Sequence, residues 1–227
     1  MSSPTSSLPL TPIEEHARIH AHLMTLGFLA LLPAGILVAR YFRTFTRRWW
    51  FGHTLIQAIV SGPVIIAGFV YGYQSTQRLF TGGHWNDPHK KIGLALFILY
   101  LVQLVIGLSI HYFKPSPTFF KGRRPPQNYF HALFGLAIVA LASYQVHYGM
   151  FIEWARSTGN LHPVAMGCKH FWLGCTTVFF GLYFIGVALF LRRQYRQEAV
   201  ARDKTLNGNG AYGDGESGRG LTKQQKV

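Results

Sequence analysis

The chain has 227 residues, 49% of them hydrophobic and only 13% charged, with a formal net charge of +14. A soluble domain carries about 25% charged residues, so a water-soluble globular protein is excluded first. The positive charge falls at the ends of the apolar runs, in the segments that join them and in the stretch after the last, which argues against a nucleic-acid partner and for contact with membrane lipid.

The first twelve residues, "MSSPTSSLPLTP", lack a basic segment followed by an apolar one. They do not read as a cleavable leader, and residues 1–16 are expected to form a disordered extracytoplasmic N-terminus. Apolar runs then recur near 20–41, 51–73, 91–112, 130–150 and 170–191. Each can cross a hydrocarbon core of about 30 Å as a helix. The expected fold is an all-α membrane protein with five transmembrane helices, residues 17–198 forming one domain without an evident internal repeat. Residues 199–227 are polar and Gly-rich and are expected to form a disordered tail.

Sixteen Lys and Arg residues fall between spans one and two, between spans three and four, or after span five; six fall on the other side. The positive-inside rule then places the N-terminus outside and the C-terminus in the cytosol. Cys168 and Cys175 fall seven residues apart, about 10.5 Å on one helix, too far for a disulfide.

Four of the eleven histidines open an apolar span: His20, His53, His89 and His131. Ionisable side chains at such depth are costly and face a bundle interior with a partner. On span three, His89 shares its face with Gly93, Tyr100, Gln103 and Gly107; on span four, His131 shares its face with Gly135, Ala142, Gln145 and Gly149. On span two, His53 is followed by Gln57 and then Ala67 or Gly68. On span one, the small-residue face of Met24, Gly27 and Ala34 belongs to His20, while His22 turns toward Leu26, Leu29 and Pro33. Small residues mark helix contact in membranes and leave room for a flat group.

Because successive spans alternate in direction, His20 and His89 are expected near the outer surface and His53 and His131 near the cytosol. Zinc normally wants three or four protein ligands. Haem iron needs only two axial ones. Two imidazoles per level, with no carboxylate in the first four spans, favour two haems, one near each surface. The competing reading is a structural multi-span protein with histidines at headgroup level. His111, about 40° round from His89, could also line the inner site.

The same residues carry a family resemblance. The segments "HAHLM", "FGHTLIQ", "HKKIG", "FHALFG", "FIEWARSTG" and "LRRQYRQE" resemble the cytochrome b561 domain, in its fungal form. The resemblance implies that helices 1–4 form a four-helix bundle holding two haem b groups per chain. His20 and His89 would ligate the outer iron, and His53 and His131 the inner one. It also implies transmembrane electron transfer from a cytosolic donor such as ascorbate to ferric iron or monodehydroascorbate. Any enzymatic activity would be that of a transmembrane oxidoreductase, ascorbate-dependent or of the ferric reductase type. Arg47 and Arg48 stand where ascorbate-using members carry lysines.

Arg43, Arg47 and Arg48, with Lys121, Arg123 and Arg124, are candidates to attract an anionic donor or inner propionates; Lys90 and Lys91 are their outer counterparts. Many relatives carry an extracellular redox domain before the first helix; with about 19 residues ahead of His20, the outer partner is expected to be a separate redox protein or a small acceptor. A homodimer is compatible with this reading. The alternative function is a haem-binding membrane anchor or sensor for another redox protein.

Overall fold

The computed structural model describes residues 8–77, 87–113 and 125–217, by backbone alone for most of the stretch beyond Val200. Five helices long and apolar enough to cross a membrane are present among them: α1, Pro12–Phe42; α2, Trp49–Thr76; α3, Pro88–Tyr112; α4, Pro126–Ser157; and α5, whose span is Met166–Val200. The backbone of α5 runs on as helix to Ser217, past the residue at which the sequence suggests a disordered tail. No Gly or Pro interrupts 192–206, and Arg, Gln, Glu and Ala there are helix formers.

Proline, which needs no intrahelical partner at the first position, opens α1, α3 and α4. Thr11 caps α1: its side chain accepts from Glu14 N, and Glu14 Oε2 accepts from Thr11 N at 2.7 Å. Asp87 caps α3 by accepting from Lys90 N at 3.0 Å.

Three helices contain a π turn: Leu26–Leu31 in α1, Leu55–Val60 in α2 and Gly149–Glu153 in α4. Two of these lie just ahead of, or overlap the reach of, a proline. Pro33 has no N–H for Leu29 O, and Pro63 has none for Ile59 O. The ladder widens, so that Leu32 N–H donates to Gly27 O. Ser61 donates to Ile56 O both from its backbone and from its hydroxyl, the latter at 2.8 Å. Each π turn inserts one residue and rotates the following face by about 100°.

The core lies where α1 to α4 meet, around Phe28, Leu29, Leu32, Ile65, Leu96, Tyr100, Ile138 and Ala142. Close approach of α1 and α2 depends on glycine: a Cβ on Gly27 would stand 2.6 Å from Ile65 Cγ1. The Tyr100 hydroxyl donates to Gln57 O at 2.7 Å and fastens α3 to α2. Helix α5 packs outside the four, with Phe179 and Tyr183 against Val139, Ile36 and Leu37. Ser143 and Thr176 share a 2.7 Å hydrogen bond, and Trp172 Nε1 donates to Ser143 O. The outward faces are apolar: Ile59, Val105, Leu133 and Leu189 are each more than 60% exposed. Side chains of this kind on five spans belong against lipid, and the protein is a multi-pass integral membrane protein.

Candidate functional site

The bundle brings the four span-opening histidines together in two pairs. His20 and His89 meet at one end, ring centroids 6.2 Å apart and planes at 82°. His53 and His131 meet at the other, at 6.3 Å and 83°. Gly107 lies beside His131 and stands eighteen residues after His89. At 1.5 Å per residue, the two pairs are about 27 Å apart along the bundle.

Each ring is backed by the helix that bears a histidine of the other pair. His20 Nδ1 donates to Gly68 O of α2 at 2.7 Å, and His53 Nδ1 donates to Gly35 O of α1 at 2.8 Å. Gly35 follows His20 by fifteen residues, and Gly68 follows His53 by fifteen. In an unbroken helix that spacing turns through about 60°; one inserted residue brings it to about 40° on the other side, onto the inward face. Helices α3 and α4 repeat a longer spacing, H-x3-G-x9-Q-x3-G, from His89 to Gly107 and from His131 to Gly149. Gln145 Nε2 donates to His89 O at 2.5 Å, and Gln103 Nε2 donates to His131 O at 2.7 Å. The chain therefore contains an inverted repeat that exchanges α1 with α2 and α3 with α4. The sequence analysis found no repeat; the two matched spacings were the available signal.

The donor set fits haem. A metal–imidazole bond is about 2.0–2.1 Å. Adding about 1.1 Å from nitrogen to ring centre, two imidazoles across one ion have centroids about 6.3 Å apart, as both pairs here do. The bonds from Nδ1 of His20 and His53 to backbone carbonyls leave Nε2 for a metal. Glycine holds the space beside the rings: a Cβ on Gly72 would stand 2.5 Å from His20 Nδ1, on Gly107 2.9 Å from His131 Cε1, and on Gly149 3.0 Å from His89 Cε1. Among the described residues, no group of three or more His, Cys, Asp or Glu could hold a metal ion, so neither pair has the ligand count of a zinc site.

Three other histidines are engaged elsewhere. His22 is exposed and bonds Arg18 O. His111 stacks on Trp50, centroids 3.9 Å apart. His147 packs on Phe151 and Trp172. His84, Lys114, Lys121, Arg123 and Arg124 lie outside the described residues. On α1 the expected face holds only as far as the π turn: Ala34 is exposed while Gly35, Pro33 and Leu29 are buried.

The rims of the two ends differ. At the His53 end, Arg43 pairs with Glu198 and lies 5.6 Å from the Trp49 ring, while Arg47 and Arg48 are exposed. Arg40 donates to Tyr183 Oη and Gln194 Oε1, and Gln194 Nε2 donates to Arg40 O and Thr44 Oγ1, so α5 clamps the turn that carries these arginines. At the His20 end, Lys90 pairs with Asp87 at 2.8 Å, Lys91 is exposed, and His162 stands 3.9 Å from Glu14. Burial pushes the Asp87 carboxyl up, but its hydrogen bonds to Lys90 and the Lys90 charge outweigh burial and hold it below the usual carboxylate range. That contribution to stability is complete above the ordinary range and is lost as pH falls through the lowered folded value.

The description "Eukaryotic cytochrome b561" fits residues 19–156. A cytochrome b561 and DOMON domain-containing protein of Arabidopsis thaliana is 21% identical over 160 residues, covering 69% of this chain and 41% of the relative. A second such Arabidopsis thaliana protein is 27% identical over 138 residues, covering 60% and 28%. The chain thus spans less than half the length of either, and no solved structure matches it significantly. With the match extending from just before His20 to beyond Gly149, the chain belongs to the eukaryotic cytochrome b561 family.

Proposed function

We propose that the protein carries single electrons across a membrane through two b-type haems, one held by His20 and His89 and the other by His53 and His131. Membership of the family implies b-type haem and transmembrane haem-dependent electron transfer. The observation that carries the finer reading is the pair of ring separations, 6.2 and 6.3 Å, at opposite ends of one bundle. Haem bound at each pair supplies one-electron iron chemistry.

The chain's own residues do the rest. The carbonyls of Gly68 and Gly35 fix the proton of His20 and His53 on Nδ1. The glycines beside the rings keep the space open. Haem held by two imidazoles would leave a substrate no open coordination site, so donor and acceptor would be recognised at the rims. The sixteen-to-six division of Lys and Arg supports a cytosolic C-terminus and a cytosolic His53 end. The exposed Arg47 and Arg48 suit an anionic donor such as ascorbate. Lys90 and Lys91 suit an outer acceptor, ferric iron in an anionic complex or monodehydroascorbate.

The test is the purified protein's haem content and spectrum, followed by reduction in sealed vesicles. Two low-spin six-coordinate haems per chain are expected, reduced by ascorbate from the side bearing the C-terminal tail with electrons reaching a ferric acceptor on the far side. One haem per chain overturns one histidine pair; no haem overturns the reading. Haems that are reduced but pass no electron to the far side favour an anchor or sensor for a separate redox protein.

A further inference from the structure

The two histidines of each pair are backed differently. His20 and His53 donate from Nδ1 to backbone carbonyls, fixed by the fold. His89 and His131 have no carbonyl partner at Nδ1. Beside each stands a glutamine amide from the neighbouring helix. Gln145 is 7% exposed, and its Nε2 lies 2.9 Å from His89 Nδ1 as well as 2.5 Å from His89 O. Its Oε1 is buried without a hydrogen-bond partner. At the other end, Gln103 Oε1 and His131 Nδ1 are both buried without partners. Two orphan acceptors and an orphan ring nitrogen in equivalent places are unusual, because buried polar atoms are nearly always paired.

The tautomer explains them. An Nε2 amide can donate to His89 Nδ1 only while that nitrogen is bare, with the ring proton on Nε2. Ligation of iron through Nε2 requires the proton on Nδ1, which turns Nδ1 from acceptor to donor. The group then needed is an acceptor within reach. A glutamine amide offers both kinds of atom: Nε2 donates to the histidine carbonyl, and Oε1 is the acceptor that rotation of the terminal torsion can turn toward Nδ1–H. Terminal amide torsions are broad, so the rotation is inexpensive.

We propose that Gln145 and Gln103 are the positioning residues whose Oε1 accepts the Nδ1–H of His89 and His131, so that each helix that ligates one haem tunes the potential of the other. The proposal rests on the ligand assignment above. A stronger acceptor gives the imidazole more anionic character, favours ferric iron and lowers the potential; removing the acceptor raises it.

Glutamate and methionine substitutions separate this role from simple clamping. Both Gln145→Glu and Gln145→Met lose the Nε2 donor to His89 O, so a clamp shifts both variants in the same direction. The proposal expects opposite shifts. Gln145→Glu should lower the potential of the His20/His89 haem and Gln145→Met should raise it, each by about tenfold in the reduction equilibrium, about 59 mV for one electron. The His53/His131 haem should stay where it was. Gln103→Glu and Gln103→Met should do the same at the other end, and they decide the matter if the Gln145 variants bind no haem.

Spectroelectrochemical titration of the two-haem protein reads both potentials, with electron paramagnetic resonance to assign them. Shifts of one sign, shifts of the wrong haem, or no shift overturn the proposal, as does loss of haem in all four variants. A parent protein without haem instead overturns the ligand assignment.

Discussion

At the His20 end the facing rings stand 6.2 Å apart at 82°, and at the His53 end 6.3 Å apart at 83°. Around them the rims share little. Glu14, Asp87, Lys90, Glu153 and His162 belong to the first end; Arg43, Trp49, Trp50 and His111, with the exposed Arg47 and Arg48, belong to the second. The inverted repeat constrains whatever touches a ring, because each helix must present a histidine to one pair and a backing group to the other. It places no such demand on the rims, which are built from helix ends and connecting turns. On the ligation proposed above, a bundle symmetrical at its two histidine pairs gives an electron no preferred direction. Direction has to come from the rims and from differences in potential.

The comparison breaks most completely at the four paired histidines. His53→Ala or His131→Ala should each abolish one haem and leave the other, halving the haem-to-protein ratio. His20→Ala or His89→Ala should abolish the complementary one. His22→Ala, on an exposed ring bonded to Arg18 O, should keep both. Spectra taken after stepwise reduction identify which haem is missing. Loss of haem on removing His22 would mean that α1 presents a different face.

Next in size are the glycines that differ only in which ring they touch. Added Cβ atoms on Gly107 and Gly149 would stand 2.9 and 3.0 Å from His131 and His89, whose rings ligation would hold in place. Overpacking costs about 1–3 kcal/mol, so Gly107→Ala should weaken haem retention at the His131 end by roughly 5- to 150-fold. Gly149→Ala should do so at the His89 end. Gly52→Ala is the control, since its Cβ would meet only Val38 Cγ1 at 3.5 Å. Haem loss to apomyoglobin measures each. If Gly52→Ala loses haem as fast as Gly107→Ala does, the glycines act through general helix packing and not through the rings.

Legibility from the sequence followed the regularity of each helix. On α3 and α4 the 3.6-residue period runs unbroken from His89 to Gly107 and from His131 to Tyr148. The inward face read from it contains Gln103 and Gln145, and both bond the facing helix. On α1 the period fails at Leu26, and a face projected from His20 lands on exposed Ala34 when Gly35 holds the place. Pro33 and Pro63 were visible, but a proline says only that the ladder is disturbed; whether the helix kinks or inserts a residue is settled by its neighbours. Here Gln57 Nε2 donates to Leu32 O at 3.1 Å, and the Ser61 hydroxyl satisfies Ile56 O. Those contacts are tertiary or depend on the π turn itself, so no periodicity announces them.

The smallest expected effect tests the rims directly. Arg43 is held by Glu198 and Trp49, whereas Arg47 and Arg48 are exposed in the turn before α2, within one helical turn or two of His53. An anion docking there meets partly exposed charge, worth about fivefold in affinity per arginine. Arg47→Ala combined with Arg48→Ala should therefore slow ascorbate reduction of the His53/His131 haem by up to about 25-fold, if the two contributions add. Reduction by dithionite, which needs no docking site, should keep its extent, and both spectra should remain intact. Raising the ionic strength should slow the parent in the same sense but more weakly, because exposed pairs are screened beyond about 8 Å at physiological salt. The matching change at the other rim, Lys90→Ala with Lys91→Ala, should leave ascorbate reduction alone and slow only delivery to a ferric acceptor. Equal effects of the two double variants on ascorbate reduction would remove the distinction between the rims. Unchanged kinetics in Arg47→Ala, Arg48→Ala would leave those arginines as topology signals and move the donor site to another segment at the His53 end.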